Sequence, residues 1–251
     1  MFWFWGNSIR YLITFSYDGT NFHGFESQPE YRTIEDEINK VLTFINGGKK
    51  TKIVASGRTD KGVHAIAQTG HADIDVEITE YKLKRAMNSL LPNDIHVKNT
   101  KIVDKDFHAR YMVKEKVYEY KLNMGEYNPC DRNYIYQFNK NLDIDLMNYA
   151  IKDFIGKHNF KSFTESKEKR DNYEREIYDA YISVQDDIIT FVFIGNGFIK
   201  YQIRNMVGLL IQIGLGKKDK NCIKEILENL DRSQGFRTAH PEGLYLVSVK
   251  Y

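Results

Sequence analysis

Cysteine is almost absent from this chain. Cys130 and Cys222 stand far apart and lack metal-ligand spacing. That excludes a disulfide framework and a structural zinc site, and it fits a reducing cytoplasm. Strong charge of either sign is also missing, since the formal net charge is only +2. Any contact with nucleic acid therefore has to be a local patch. No stretch is long and apolar enough to span a bilayer: the best run, Ile203 to Leu215, is interrupted by Arg204, Asn205 and Gln212. The aromatic leader Met1-Phe2-Trp3-Phe4-Trp5 is too short for a signal-peptide core and has no basic residue before it. Cofactor motifs are lacking as well. Gly47-Gly48-Lys49-Lys50-Thr51 does not have the GxxxxGKS/T spacing of a phosphate loop and follows a helix rather than a strand. The expectation is a soluble cytoplasmic protein with no membrane partner, no cofactor and no metal.

What is present is ordinary globular material. A chain of 251 residues with 42% hydrophobic and 28% charged residues can bury a substantial core in one large or two modest domains. Its 17 tyrosines suit half-buried sheet positions, and aromatic rings also stack on RNA bases.

The hydrophobic periods divide the chain into two halves with one element order. In the first, Arg10 to Tyr17 reads as a strand. Thr33 caps a helix whose face is Ile34, Ile38, Val41, Leu42 and Ile45, and Gly47-Gly48 ends it. Lys52 to Ala55 and Ala65 to Ile74 are strands. Thr79 caps a second helix carrying Tyr81, Leu83, Met87, Leu90 and Leu91, stopped by Pro92, and Ile95 to Val103 closes the half. The second half repeats the order in pattern but not in residues. It comprises a strand from Met112 to Leu122, a helix capped by Asp143 and reaching Ile155, and a hairpin of Glu176 to Val184 with Ile188 to Ile194. A helix from Ile199 to Ile213, an extra helix from Asp219 to Leu230 and a strand from Leu244 to Val249 follow. β-α-β-β-α-β is the ferredoxin-like order. The segment Thr164 to Glu174, rich in Lys, Glu and Asp, reads as an exposed loop.

The most informative segment is Ala55-Ser56-Gly57-Arg58-Thr59-Asp60-Lys61-Gly62-Val63-His64-Ala65. Two glycines bracket a charged core between two strands, which presents Asp60 on a short loop between Arg58 and Lys61. A carboxylate among cations stays ionised and is able to act as nucleophile or base.

The string Gly-Arg-Thr-Asp-Lys-Gly-Val-His-Ala resembles the catalytic loop of the TruA family of tRNA pseudouridine synthases. Further landmarks similar to that family follow in order from Arg10 to Tyr251. They are Tyr17-Asp18-Gly19-Thr20, Phe107-His108-Ala109-Arg110, Val117-Tyr118, Arg204-Asn205-Met206-Val207-Gly208 and Pro241-Glu242-Gly243-Leu244. The resemblance implies an α+β fold of two ferredoxin-like (RRM-like) halves, residues 8–104 and 105–251, with joined antiparallel sheets and a central catalytic cleft. It implies an isomerase that converts uridine to pseudouridine at positions 38, 39 and 40 of the tRNA anticodon stem-loop, working as a homodimer. Asp60 matches the catalytic aspartate, and attack at C1′, attack at C6 and removal of a ribose proton all remain open for it. Tyr118 matches the active-site tyrosine, and its ring suits stacking on the target base. Arg204 matches the family arginine. A cation in an apolar helix is rarely buried unpaired, and Asp60 is its natural partner. Arg58 is implied in drawing the nucleotide out of its stem. Lys61, His64, Arg110, Lys114 and Lys116 are candidate contacts to the RNA backbone, with a solvated lysine and a packed histidine as the plain readings of Lys61 and His64.

Four segments depart from the family pattern: Gly24-Phe25-Glu26-Ser27-Gln28, His158-Asn159-Phe160-Lys161-Ser162-Phe163, Asn172-Tyr173-Glu174-Arg175 and Ala239-His240-Pro241. They leave the central chemistry alone and bear on substrate choice. Two other readings follow, a divergent paralogue acting on another RNA such as ribosomal RNA, and a non-catalytic RNA-binding protein that kept the fold.

Overall fold

Alternation of buried and exposed side chains builds the first sheet. In a computed structural model that describes residues 8–165, 171–230 and 236–251, β1 (Ile9–Tyr17) buries Tyr11, Ile13, Phe15 and Tyr17 and turns its other residues outward. The aromatic leader and residues 166–170 of the charged loop lie outside the described residues. The chain divides into two units, Met1–Val113 with Tyr251, and Lys114–Lys250.

In the first unit β1 runs antiparallel to β3 (His64–Ile74) on one side and to β4 (Ile95–Val103) on the other. The two-residue β2 (Val54–Ala55) pairs with β3. Two helices cover this sheet, α1 (Ile34–Ile45) and α2 (Glu80–Leu90). Both start where a threonine side chain accepts a backbone N–H two or three residues into the helix: Thr33 from Asp36 and Thr79 from Lys82. Gly47 and Gly48, at φ 66° and 87°, end α1 as the sequence predicts. The expected face of α2 is too wide. Leu83 and Met87 are buried, but Tyr81 is 68% exposed and Leu90 44%. At roughly 100° per residue Tyr81 lies nearly opposite Leu83.

The segment after β4 is fastened to this sheet. The Arg10 guanidinium forms a two-pronged pair with Asp73, at 2.8 and 2.7 Å, and donates to the Phe107 carbonyl at 2.9 Å. His71 Nδ1 accepts from the Ala109 N–H at 3.1 Å, and burial followed by the charge of Arg10 pushes its pKa down to about 4. Its imidazole is thus neutral at physiological pH. The Tyr251 hydroxyl donates to the Ala109 carbonyl at 2.9 Å and lies 2.7 Å from Thr69 Oγ1.

In the second unit β5 (Glu115–Asn123) lies between β10 (Leu244–Lys250) and β9 (Ile188–Gly195). The hairpin partner β8 (Glu174–Gln185) follows β9, and β7 (Gly156–Asn159) adds to β8. A short β6 (Tyr136–Gln137) is a parallel neighbour of β5. Neither β6 nor β7 is legible in the sequence, because two and four residues are too few to set a period. α3 (Ile144–Ile151) starts at Asp143, which accepts from the Leu146 N–H at 3.0 Å, and tightens into a 3-10 turn that buries Phe154. α4 (Gln202–Gly214) is almost wholly buried, and α5 (Cys222–Asn229) buries Ile223, Ile226 and Leu227. The sequence pattern starts α4 at Ile199. The helix begins three residues later because Tyr201 takes a left-handed conformation at φ 61°. The fold is a mixed α and β one with mostly antiparallel sheets and, among the described residues, five α-helices.

Candidate active site

The Asp60 loop is the turn between β2 and β3, and it is pinned along its length. At its base the Ser56 N–H donates to the Thr69 carbonyl at 2.8 Å, and Gln68 Nε2 donates to the Gly57 carbonyl at 3.0 Å. The Ser56 hydroxyl meets Gln68 Oε1 at 2.6 Å. Next to Asp60, the buried Tyr17 hydroxyl lies 2.8 Å from Thr59 Oγ1, and the Thr59 carbonyl accepts from the Phe25 N–H at 3.1 Å. Burial raises the pKa of Tyr17 far above the usual phenol range, so it stays a neutral hydrogen-bonding group. Asp60 opens a tight turn: its carbonyl accepts from the Val63 N–H at 3.2 Å, with Gly62 at φ 79°, a position that disfavours any side chain. Asp60 itself is half-buried.

The landmark Tyr17-Asp18-Gly19-Thr20 has its reason here. Asp18 Oδ1 accepts from the Thr20 N–H at 2.9 Å and from its hydroxyl at 2.6 Å, which folds the segment back on itself. Gly19 is then pressed against the Asp60 loop, where an added Cβ would lie 2.1 Å from the Val63 carbonyl oxygen. Its N–H donates to His64 Nδ1 at 3.0 Å. The Asp18 carboxylate lies 3.3 Å from the same nitrogen. His64 is 2% exposed. Its buried ring holds Gly19 through that hydrogen bond.

The other candidate residues are placed as follows. Arg58 is exposed and pairs with Glu26 at 2.7 Å. Lys61 is exposed, with Nζ 3.2 Å from His23 Nε2. Arg110 and Lys114 are exposed, whereas Lys116 is 7% exposed in β5. All of these but the two lysines of the 114–116 stretch belong to the first unit. Tyr118 and Arg204 belong to the second. Tyr118 lies in β5 opposite Phe193 and Leu246, with its ring 5.2 Å from Phe198 edge to face.

Arg204 is the half-buried residue of an otherwise buried helical stretch. Its Nε donates to the Ala239 carbonyl at 2.8 Å, and its guanidinium stands 5.1 Å from the Tyr201 ring. The Ala239 N–H returns a bond to the Arg204 carbonyl at 3.0 Å. Beside it Asn205, fully buried, donates to the Phe163 carbonyl at 2.7 Å and accepts from the Thr238 hydroxyl at 2.7 Å. The motif Arg204-Asn205 is thus a lock on the chain around 238–239. Three of the departing segments prove to touch motif residues, the Phe163 carbonyl on Asn205 being one such contact. Glu26 engages Arg58, and Ala239 holds Arg204; a linear reading had no signal for any of these contacts. Among the described residues, no group of three His, Cys, Asp or Glu side chains is placed to hold a metal ion, and no helix is long and apolar enough to cross a membrane.

Comparison with known proteins bears directly on this loop. The family model described as tRNA pseudouridine synthase matches residues 13–112 and 150–251. A tRNA pseudouridine synthase A of Geobacillus sp. (strain WCH70) is 40% identical over 245 residues, covering 97% of this chain and 99% of that one. The protein of the same name from Limosilactobacillus reuteri (strain DSM 20016) is 40% identical over 248 residues, 96% of each chain. That of Streptococcus pneumoniae (strain 70585) is 41% identical over 245 residues, 96% of this chain and 98% of the other. Among solved structures, a Cbf5-Nop10-Gar1 complex aligns with TM-score 0.31 and 14% identity over 80% of this chain and 54% of that one, a likeness too faint to bear on the fold. With its Asp60 loop inside the matched residues and relatives at such identity over nearly the whole chain, the protein belongs to the tRNA pseudouridine synthase family.

Proposed function

We propose that this isomerase acts at positions 38, 39 and 40 of the tRNA anticodon stem-loop, with Asp60, Tyr118 and Arg204 serving the target uridine. Family membership makes the reaction the isomerisation of tRNA uridine to pseudouridine. The N1–C1′ bond breaks and a C5–C1′ bond forms; C5 gives up a proton and N1 takes one, so no redox partner or group donor enters. Asp60 acts as nucleophile or base, Tyr118 stacks on the base, and Arg204 supplies a positioned cation. Arg58, Lys61, His64, Arg110, Lys114 and Lys116 take the RNA backbone, with His64 and Lys116 buried in the free protein. Each half is a ferredoxin-like domain, residues 8–104 and 105–251, and the enzyme works as a cytoplasmic homodimer.

The observation that carries this reading is the fastening of the Asp60 loop. Bonds to Tyr17, Phe25, Gln68 and Gly19 hold a half-exposed carboxylate on a rigid turn. Rigidity of that kind is what a reacting group needs and a hairpin tip does not.

Pseudouridine mapping across all RNA of cells with and without the protein should find the lost sites in tRNA anticodon arms. Loss confined to ribosomal RNA would favour the paralogue reading, which the Glu26–Arg58 contact makes specific. On the mapped stem-loop, compensatory swaps of stem base pairs should change turnover only mildly, because a duplex offers side chains mainly its backbone and 2′-hydroxyls. Abolished turnover with the stem's shape retained would mean sequence-specific reading instead.

Glu26 offers a separate check. Its carboxylate occupies Arg58 in the free protein and adds an anion where RNA has to approach. Glu26→Gln should tighten RNA binding a few-fold and steepen the log–log salt dependence by up to about one phosphate contact. Unchanged affinity at low salt would show that Arg58 does not meet the RNA.

A further inference from the structure

We propose that the stacked rings of Tyr31 and His23 form a seat for a nucleobase next to the target uridine in the RNA strand, beside the Asp60 loop. The inference rests on the RNA-modifying reading above and adds to it a contact that none of the motif residues supplies.

The segment from His23 to Arg32 is a closed surface loop. The His23 N–H donates to the Arg32 carbonyl at 3.0 Å, Gln28 Nε2 donates to the His23 carbonyl at 2.8 Å, and the Tyr31 N–H donates to the Gln28 carbonyl at 3.3 Å. Glu30, at φ 67°, makes the sharp turn that brings Tyr31 back. The two rings then lie 4.1 Å apart, 25° from parallel. Tyr31 is 53% exposed. His23 covers one face of the phenol ring and leaves the rest of it to water, whereas an aromatic that only stapled the loop would bury most of its area.

The loop is also joined to the catalytic turn. Gly24 packs so closely that a Cβ there would lie 2.9 Å from the Thr59 carbonyl oxygen, and the Phe25 N–H bonds that same oxygen at 3.1 Å. His23 Nε2 lies 3.2 Å from Lys61 Nζ, and Lys61 follows Asp60 in the chain. The run Tyr31–His23–Lys61 is therefore ring, ring, cation, ending one residue from the reacting carboxylate. Stacked aromatic faces with an adjacent cation are what a single-stranded nucleotide takes: a π-face for the base and a charge for the phosphate. A base next to a uridine that is being unstacked loses a stacking partner of its own, and the Tyr31 face replaces it.

The test uses the full chain and a stem-loop RNA carrying the mapped uridine. Tyr31→Ala should raise KM about tenfold with kcat within twofold, and Tyr31→Phe should behave as wild type, since the stack needs the ring and not the hydroxyl. Replacing the nucleotide on each side of the target, one at a time, with an abasic one should raise the wild-type KM about tenfold at one side. In Tyr31→Ala that same replacement should add little, because the ring and the base it holds are already parted. Costs that multiply at both sides, or a Tyr31→Ala enzyme with wild-type KM, overturn the proposal while wild-type turnover leaves the functional reading standing. A fall in kcat shared by Tyr31→Ala and Tyr31→Phe also overturns it, by making Tyr31 a part of the loop's own structure. A wild-type enzyme that forms no pseudouridine in any RNA removes both.

Discussion

The Asp60→Ala protein is expected to form no measurable pseudouridine and yet to bind its RNA. The side chain lies on a turn made by the backbone, with the Val63 N–H on the Asp60 carbonyl and Gly62 supplying the positive φ. Alanine keeps both, and the fastenings at Thr59, Gly57 and Gly19 do not use the Asp60 side chain. The variant should therefore keep the turn and fold. Turnover should fall by at least about 10⁴-fold, the scale on which enzymes lose rate when a reacting group is deleted. Binding comes from many phosphate contacts, so losing one carboxylate leaves it whole and removing an anion tightens it slightly. Single-turnover assays on the mapped stem-loop, with a filter-binding titration beside them, separate the two quantities. Residual pseudouridine above a trace would remove Asp60 from the chemistry, and equal losses of binding and turnover would make it an RNA contact.

Gly208→Ala should damage both stability and turnover, by another route. Gly208 lies in α4 one turn after Arg204, where a Cβ would come within 1.8 Å of the Arg237 carbonyl oxygen. No rotamer relieves a clash between two backbones, so the 237–239 segment has to move off the helix. That segment holds Arg204 through the Ala239 carbonyl at 2.8 Å and Asn205 through the Thr238 hydroxyl at 2.7 Å. Overpacking of this kind costs about 1–3 kcal/mol in stability. The displaced acceptor should also cost a further ten-fold or more in kcat, which corresponds to about 1.4 kcal/mol. Gly197→Ala is the control: the nearest atom to its added Cβ, Arg175 Nε, lies 3.9 Å away in ordinary contact, and it should alter neither quantity. Urea midpoints and kcat of the folded fraction decide the matter. Wild-type kcat in a destabilised Gly208→Ala protein would show that Arg204 does not depend on Ala239.

Local chemistry wrote much of this protein into its sequence. Alternation along β1 and β5, the caps at Thr33, Thr79 and Asp143, and the glycine ends of α1 each depend on residues within a few positions of one another. The string around Asp60 carried the family for the same reason, since a tight turn between strands constrains nearly every residue in it. Tertiary structure decided what depends on distant backbone. It buried His64 under Gly19, set Glu26 on Arg58, laid Tyr31 on His23, and started α4 late at a left-handed Tyr201. Such contacts join residues whose spacing in the chain follows no period, so nothing in a linear pattern marks them. They exist only where folding brings two backbones within a few ångströms, as it does for Gly208 and the Arg237 carbonyl.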